Sequence, residues 1–178
     1  MSIKYLEKYE LLKLLRYCKQ HDYFMYSIIT ISFVYGLRVS EILDLKRSDV
    51  NFKDNKITFR RNKGSNKTRH TLTPEVRNIL KKAEKNYEKR YFKLHRSNVD
   101  VRLKKIFKTL RISKDKAHFH AIRHTTAISL LDKGVNVRTI QAILGHKDIK
   151  STMVYLQITG KHIDKENESL EAIISREV

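Results

Sequence analysis

"HFHAIRHTTAISLLDKGVNVRTIQAILGHKDIKSTMVY", residues 118–155, contains two glycine stops and three helical segments. Apolar residues recur at helical spacing through "HAIRHTTAISLLDKG", which reads as a helix stopped at Gly134. Asn136 caps a second helix, "NVRTIQAILG", which ends at Gly145. Ser151 can cap a further short turn carrying Tyr155. His120 and Arg123 stand three residues apart and so share a helix face. His146 follows the Gly145 stop, and Tyr155 lies nine residues beyond it.

Upstream, residues 6–20 carry Leu11, Leu12, Leu15 and Cys18 at the spacing of one helix face. Residues 22–35 are apolar almost all round, the mark of a buried central helix ending near Gly36, and "LRVSEILDL" reads as a short helix. The period then changes to two: "DVNF", a "KDNK" turn and "ITFR" form a hairpin, and "RHTLT" supplies a third strand. Pro74 suits the first position of a helix over "PEVRNILKKAEKNYEKR", and another fits 98–110. A last amphipathic helix over about 163–175 presents Ile163, Leu170, Ile173 and Ile174. The expected fold class is α+β: one mostly helical domain over 1–178 with a small three-stranded antiparallel sheet. The connection from Arg61 to Thr68 is basic and contains glycine, so it should face outward.

A chain of 178 residues, 40% hydrophobic and 32% charged, is long enough to bury one core and too apolar for disorder. It has no apolar run of membrane-spanning length and does not open with a signal peptide. Cys18 has no partner cysteine, pointing to a reducing cytoplasm. Lys and Arg total 38 against 19 acidic residues, a net charge of +19. Such a field attracts polyanions, of which nucleic acid is the commonest in that compartment. Residues 60–70, "RRNKGSNKTRH", hold Arg60, Arg61, Lys63, Lys67 and Arg69 with no acid, and residues 81–111 carry 12 basic side chains against three acidic. The tail, 161–178, reverses the balance with five acidic and three basic. The middle of the chain is therefore expected to face phosphates, with Arg60, Arg61, Lys67 and Arg69 as candidate DNA contacts.

A tyrosine that attacks a phosphodiester starts from a phenol of pKa about 10 and needs a proton acceptor or a strongly electropositive setting. Its transition state needs cations on the non-bridging oxygens, and the leaving oxygen needs a general acid. With no clustered carboxylates to hold paired magnesium ions, guanidinium is the available cation, and an Arg fork grips phosphate bidentately. Arg38 begins the "LRVSEIL" helix, and Glu41, three residues on, can orient a nearby cation. Lys63 lies in the strand connection, placed to protonate a leaving oxygen.

In order along the chain, "GLRVSEIL", "RRNKGSNKTRHTLTP", "HAIRH" and "AILGHKDIKSTMVY" resemble the catalytic domain of the tyrosine recombinases, the phage integrase and Xer-like family, over about residues 5–160. The resemblance implies that family's fold and a site-specific recombinase or integrase that uses neither metal nor ATP. It assigns Arg38 and Arg123 to clamp the scissile phosphate and Lys63 to act as general acid. His120 would assist proton transfer at Tyr155, His146 would hydrogen-bond a phosphate oxygen, and Glu41 would steady the cluster. Tyr155 would be the nucleophile, forming a 3′-phosphotyrosine and releasing a 5′-hydroxyl. No cofactor is implied. The partners would be double-stranded DNA and further copies of the chain, monomeric when free and tetrameric on DNA, docking through the 161–178 tail. The location would be cytoplasmic, at the nucleoid of a prokaryote or on a mobile element. The chain begins almost at the first helix of that catalytic domain, ahead of which the family usually carries a separate DNA-clamping domain. The expectation is either an excised fragment or a minimal recombinase, with weak and poorly specific DNA binding in both cases.

Lys67 is the nearest rival to Lys63 as the acid. His120 and His124, four apart, could suggest zinc, but no third ligand has the right spacing, and His124 reads as a structural residue packed under its helix. A different class of function competes: "NVRTIQAILGHKDIKSTMVYLQI" also reads as a helix-turn-helix in a non-catalytic DNA-binding regulator. That reading leaves "GLRVSEI", the lysine hairpin and "HAIRH" unexplained. A type IB topoisomerase would share the chemistry, but the chain is short for one.

Overall fold

The sequence YFMYSIITISFVY has no polar face, and the fold is built around it. In the computed structural model, which describes residues 3–61, 67–83 and 89–158, it forms helix α2 (Tyr23–Tyr35), with Met25, Ile28, Ile29 and Ile31 wholly buried. Helix α1 (Lys8–His21) packs on one side of it, and the short α3 (Val39–Leu43) follows after Gly36. The buried face of α1 is Leu11, Leu14 and Cys18. Leu12, expected on that face, is exposed, because at about 100° per residue it stands on the far side of Leu11 from Leu14 and Cys18.

Strands β1 (Val50–Asn51), β2 (Lys56–Phe59) and β3 (Thr68–Thr71) form the antiparallel sheet in that order. Val50 pairs with Ile57, and Thr58 with Arg69. Asn55 takes the left-handed conformation (φ 55°) that the tight β1–β2 turn needs and that Asn tolerates better than most residues. Ile57 and Phe59 point into the core. Tyr35 at the end of α2 stacks against Phe59 and His70, fastening the sheet to the central helix.

Helices α4 (Pro74–Ala83) and α5 (Arg96–Thr109) complete the larger core. Helix α6 (Phe119–Leu131) lies against α2 and is held there by hydroxyls: Thr126 donates to the Phe33 carbonyl, and Thr125 accepts from the Leu6 amide. Beyond it, α7 (Val137–Leu144) and the single turn α8 (Lys150–Met153) enclose a second, smaller core of Ala127, Ile128, Leu131, Ile140, Leu144 and Tyr155. The expected punctuation of α7 is present: the Asn136 side chain accepts from the Arg138 amide, and Gly145 is left-handed at φ 68°. Helix α8 starts differently from the sequence reading. Ser151 lies inside it, Ile149 stands at the N-cap, and the Lys150 amide donates to the side chain of Asp148, one residue before that cap. The amphipathic helix expected over 163–175 lies outside the described residues.

Gly36 joins the two cores. It closes α2 at φ +60°, and a Cβ there would run into the Leu144 side chain. Gly36→Ala should lower the unfolding free energy by about 2–4 kcal/mol, combining the left-handed penalty with overpacking. Urea denaturation measures it, and a loss below about 0.5 kcal/mol would show that the α2 end adapts freely.

Candidate active site

One buried carboxylate organises the site. Glu41, in the first turn of α3, accepts the Arg38 backbone N–H at 2.9 Å and its guanidinium at 2.8 Å. The Arg61 guanidinium reaches Oε2, the oxygen that accepts the Arg38 backbone N–H, at 2.9 Å, and Arg123 stands 3.8 Å from the same oxygen. Burial alone would raise the Glu41 carboxyl, but the Arg38 amide and the surrounding guanidiniums hold it below its ordinary value. Three guanidiniums around one carboxylate leave a net side-chain charge of 3 − 1 = +2.

Arg123 is almost fully buried on α6, where Nη1 donates to the Gly36 carbonyl at 2.5 Å and Nη2 to the Leu144 carbonyl at 3.0 Å. Burial and then Arg38 lower it to about 10, with Glu41 opposing, so it remains a cation at neutral pH. Two of its five N–H donors are used in these bonds. Arg38 is half-buried at the start of α3.

His146 follows Gly145, with Nδ1 2.8 Å from the Thr152 hydroxyl and its carbonyl accepting from the Gln141 side chain. Burial, then Arg123 and Arg38, push it down to about 4, so it is neutral at physiological pH. Beside it a basic hollow of about 460 Å³ is lined by Lys67, Arg138 and Lys147.

Tyr155, just past α8, is 3% exposed, its ring sunk in the smaller core. Its hydroxyl lies 2.9 Å from His124 Nδ1. Burial raises the phenol, while the charges of Arg123 and Arg38 pull it back. His120 is exposed at the surface of α6, its ring 6.0 Å from that of His124; partial desolvation by its neighbours, then the charges of Arg123 and Arg38, lower it. Arg38, Glu41, Arg123, His146 and Tyr155 are thus within one electrostatic neighbourhood, with His120 on its open side. Lys63 lies outside the described residues.

Among the candidate DNA contacts, Arg60, Lys67 and Arg69 are exposed, Arg60 resting 3.5 Å from Asp49. Arg61 is a correction. Its side chain is fully buried, donating to Glu41, to the carbonyls of Tyr35 and Ile143, and to the Thr68 hydroxyl. The strand alternation that turns Ile57 and Phe59 inward continues to Arg61, and this period-two signal could have found it. His124, read from the sequence as packed under its helix, also touches the Tyr155 hydroxyl.

The chain belongs to the phage integrase family, whose pattern it matches over residues 4–162. It is 32% identical over 176 residues to the tyrosine recombinase XerA of Saccharolobus solfataricus, an alignment covering 98% of this chain and 58% of that one. It superposes on the crystal structure of XerA recombinase with a TM-score of 0.76 at 26% identity, covering 93% of this chain and 64% of the other. The catalytic domain of bacteriophage HP1 integrase shares the fold, with a TM-score of 0.73 at 24% identity over 94% of this chain and 95% of that domain. The chain spans about half the length of the curated relatives it matches. The helix-turn-helix alternative loses its recognition helix. Among the described residues after Gly145, 146–158, the one helix is the four-residue α8, and Thr152 and Tyr155 within and beyond it are buried.

Proposed function

We propose that this chain is the strand-cleaving and rejoining unit of a site-specific tyrosine recombinase acting on double-stranded DNA. The observation that carries the reading is a buried phenol set before guanidiniums braced on a single carboxylate. Arg38 and Arg123 hold the non-bridging oxygens of the scissile phosphate and neutralise the charge that grows in the transition state. His146, with Nδ1 tied to Thr152, offers its other ring nitrogen to a phosphate oxygen. The Tyr155 oxygen attacks phosphorus, the bond to the 5′-oxygen breaks, and that oxygen takes a proton from Lys63, with Lys67 as the alternative donor. The result is a 3′-phosphotyrosine and a 5′-hydroxyl. The phosphoester link retains the bond energy, so a 5′-hydroxyl can reverse the step without ATP. His120 assists proton traffic at the open side. Arg60, Lys67 and Arg69 contribute salt-sensitive affinity for the DNA backbone. Copies of the chain assemble on DNA as a tetramer through residues 161–178.

The test is covalent capture. The protein is incubated with a library of nicked duplexes of randomised sequence, and complexes that survive denaturation are isolated. Sequencing identifies the DNA, and mass spectrometry of the digest should find the nucleotide on the peptide containing Tyr155. A protein that binds DNA reversibly and yields no adduct would be a non-catalytic binder, and the proposal would be lost.

A further inference from the structure

We infer that His124 is the group that takes the proton from Tyr155 as the phenol attacks and returns it when the strand is rejoined. The inference rests on the recombinase reading and adds a residue to it. Three features of the structure lead there.

The first is contact. His124 Nδ1 stands 2.9 Å from the Tyr155 hydroxyl, within the reach a general base needs. In the tautomer that carries hydrogen on Nε2, Nδ1 presents a lone pair to the phenol. The second is rigidity on both sides. The Tyr155 ring is wedged in the smaller core, and α6, which carries His124, is tied down by Thr125 and Thr126, the two residues that follow it. The rings of His118 and His120 stand edge-on to His124 at 6.5 and 6.0 Å.

The third is charge. Burial first, then His120, His118 and Arg123, lower His124 to about 4, so its ring is neutral and able to accept. The phenol is raised by burial, so in the free protein the proton stays on oxygen and the tyrosine is inert. The balance changes during attack. As the bond from the Tyr155 oxygen to phosphorus forms, the phenol becomes acidic, and its proton passes to Nδ1. The pentavalent phosphorus centre carries one more negative charge than the diester, and that charge stabilises the new imidazolium. The bond from phosphorus to the 5′-oxygen breaks, and the 5′-oxygen is protonated by a separate acid. Rejoining runs the same transfers backward, with His124 returning its proton to the departing phenolate.

The experiment measures single-turnover adduct formation on the nicked duplex recovered by covalent capture. His124→Gln and His124→Asn are compared with His120→Gln. Each is combined with Tyr155→fluorotyrosine replacements, introduced at that position alone, whose phenols are progressively more acidic. His124→Gln should slow adduct formation by about 100-fold or more, the low end of a general base's contribution. The more acidic phenols should restore most of that loss, because they need less help in losing the proton. His120→Gln should gain a much weaker dependence, since its part in the proton traffic lies at the open side and not at the phenol. Gel shift and thermal midpoint establish that the variants fold and bind DNA.

Slowing without restoration would make His124 a packing residue and overturn the inference, as would cleavage at the unaltered rate. A steep dependence on phenol acidity with His124 intact would also overturn it, which decides the matter even if both His124 variants fail to fold. Absence of any adduct from the unaltered protein is a different result, since it defeats the recombinase reading itself.

Discussion

Tyr155→Phe is expected to abolish the covalent protein–DNA adduct completely while leaving a folded protein that still binds DNA. The substitution removes one oxygen and keeps the ring, and the ring is what fills the space between Ala127, Ile140 and Leu144. The stability cost is the lost contact with His124, whose half-buried Nδ1 is left without that partner, about 1 kcal/mol. Adduct yield on the captured duplex and the urea midpoint check the two halves of the expectation. Another nucleophile would have to be sought if any adduct persisted at a different tyrosine, and the chain has eight others.

Arg123→Ala should lower adduct formation by about 10³-fold at saturating DNA, the scale seen when a preorganised donor to a developing negative charge is lost. DNA affinity should fall much less, because the clamp acts mainly in the transition state. Unlike Tyr155→Phe, this change also strikes the fold. It strips the Gly36 and Leu144 carbonyls of their donor and leaves a void where a fully packed side chain stood, at a cost of roughly 2–5 kcal/mol. Rates should therefore be compared at a temperature where the variant is folded. An unchanged cleavage rate there would remove Arg123 from the clamp.

Most of the scaffold was legible from local chemistry. Asn136 and Gly145 bracket α7, Gly36 ends α2, and a change of period announces the sheet, because caps, left-handed glycines and alternation are all properties of a few adjacent residues. The same locality explains what was missed. Arg61 sits in a basic run and reads as surface. Its partners are Glu41, 20 positions back, and the Ile143 carbonyl, 82 positions on. His124 meets Tyr155 across 31 residues, two helices and a turn. Neither pairing is visible before the chain has folded. Ser151 failed for a subtler reason: Ser151 and Asp148 are both residue types that favour a helix start, but the backbone path begins α8 after Ile149, which leaves Ser151 inside the turn and Asp148 to accept the Lys150 amide.

The carbonyls gripped by Arg61 and Arg123, at Ile143 and Leu144, are the last two of α7, where a helix leaves its acceptors unsatisfied and its dipole negative. The end of a helix thus serves as a template that fixes two guanidinium planes in advance. A free arginine gives up as much as about 2 kcal/mol of rotamer freedom when it is immobilised. Arg123 has already surrendered that entropy on folding, so a phosphate arriving at the site meets a donor that does not have to be ordered first.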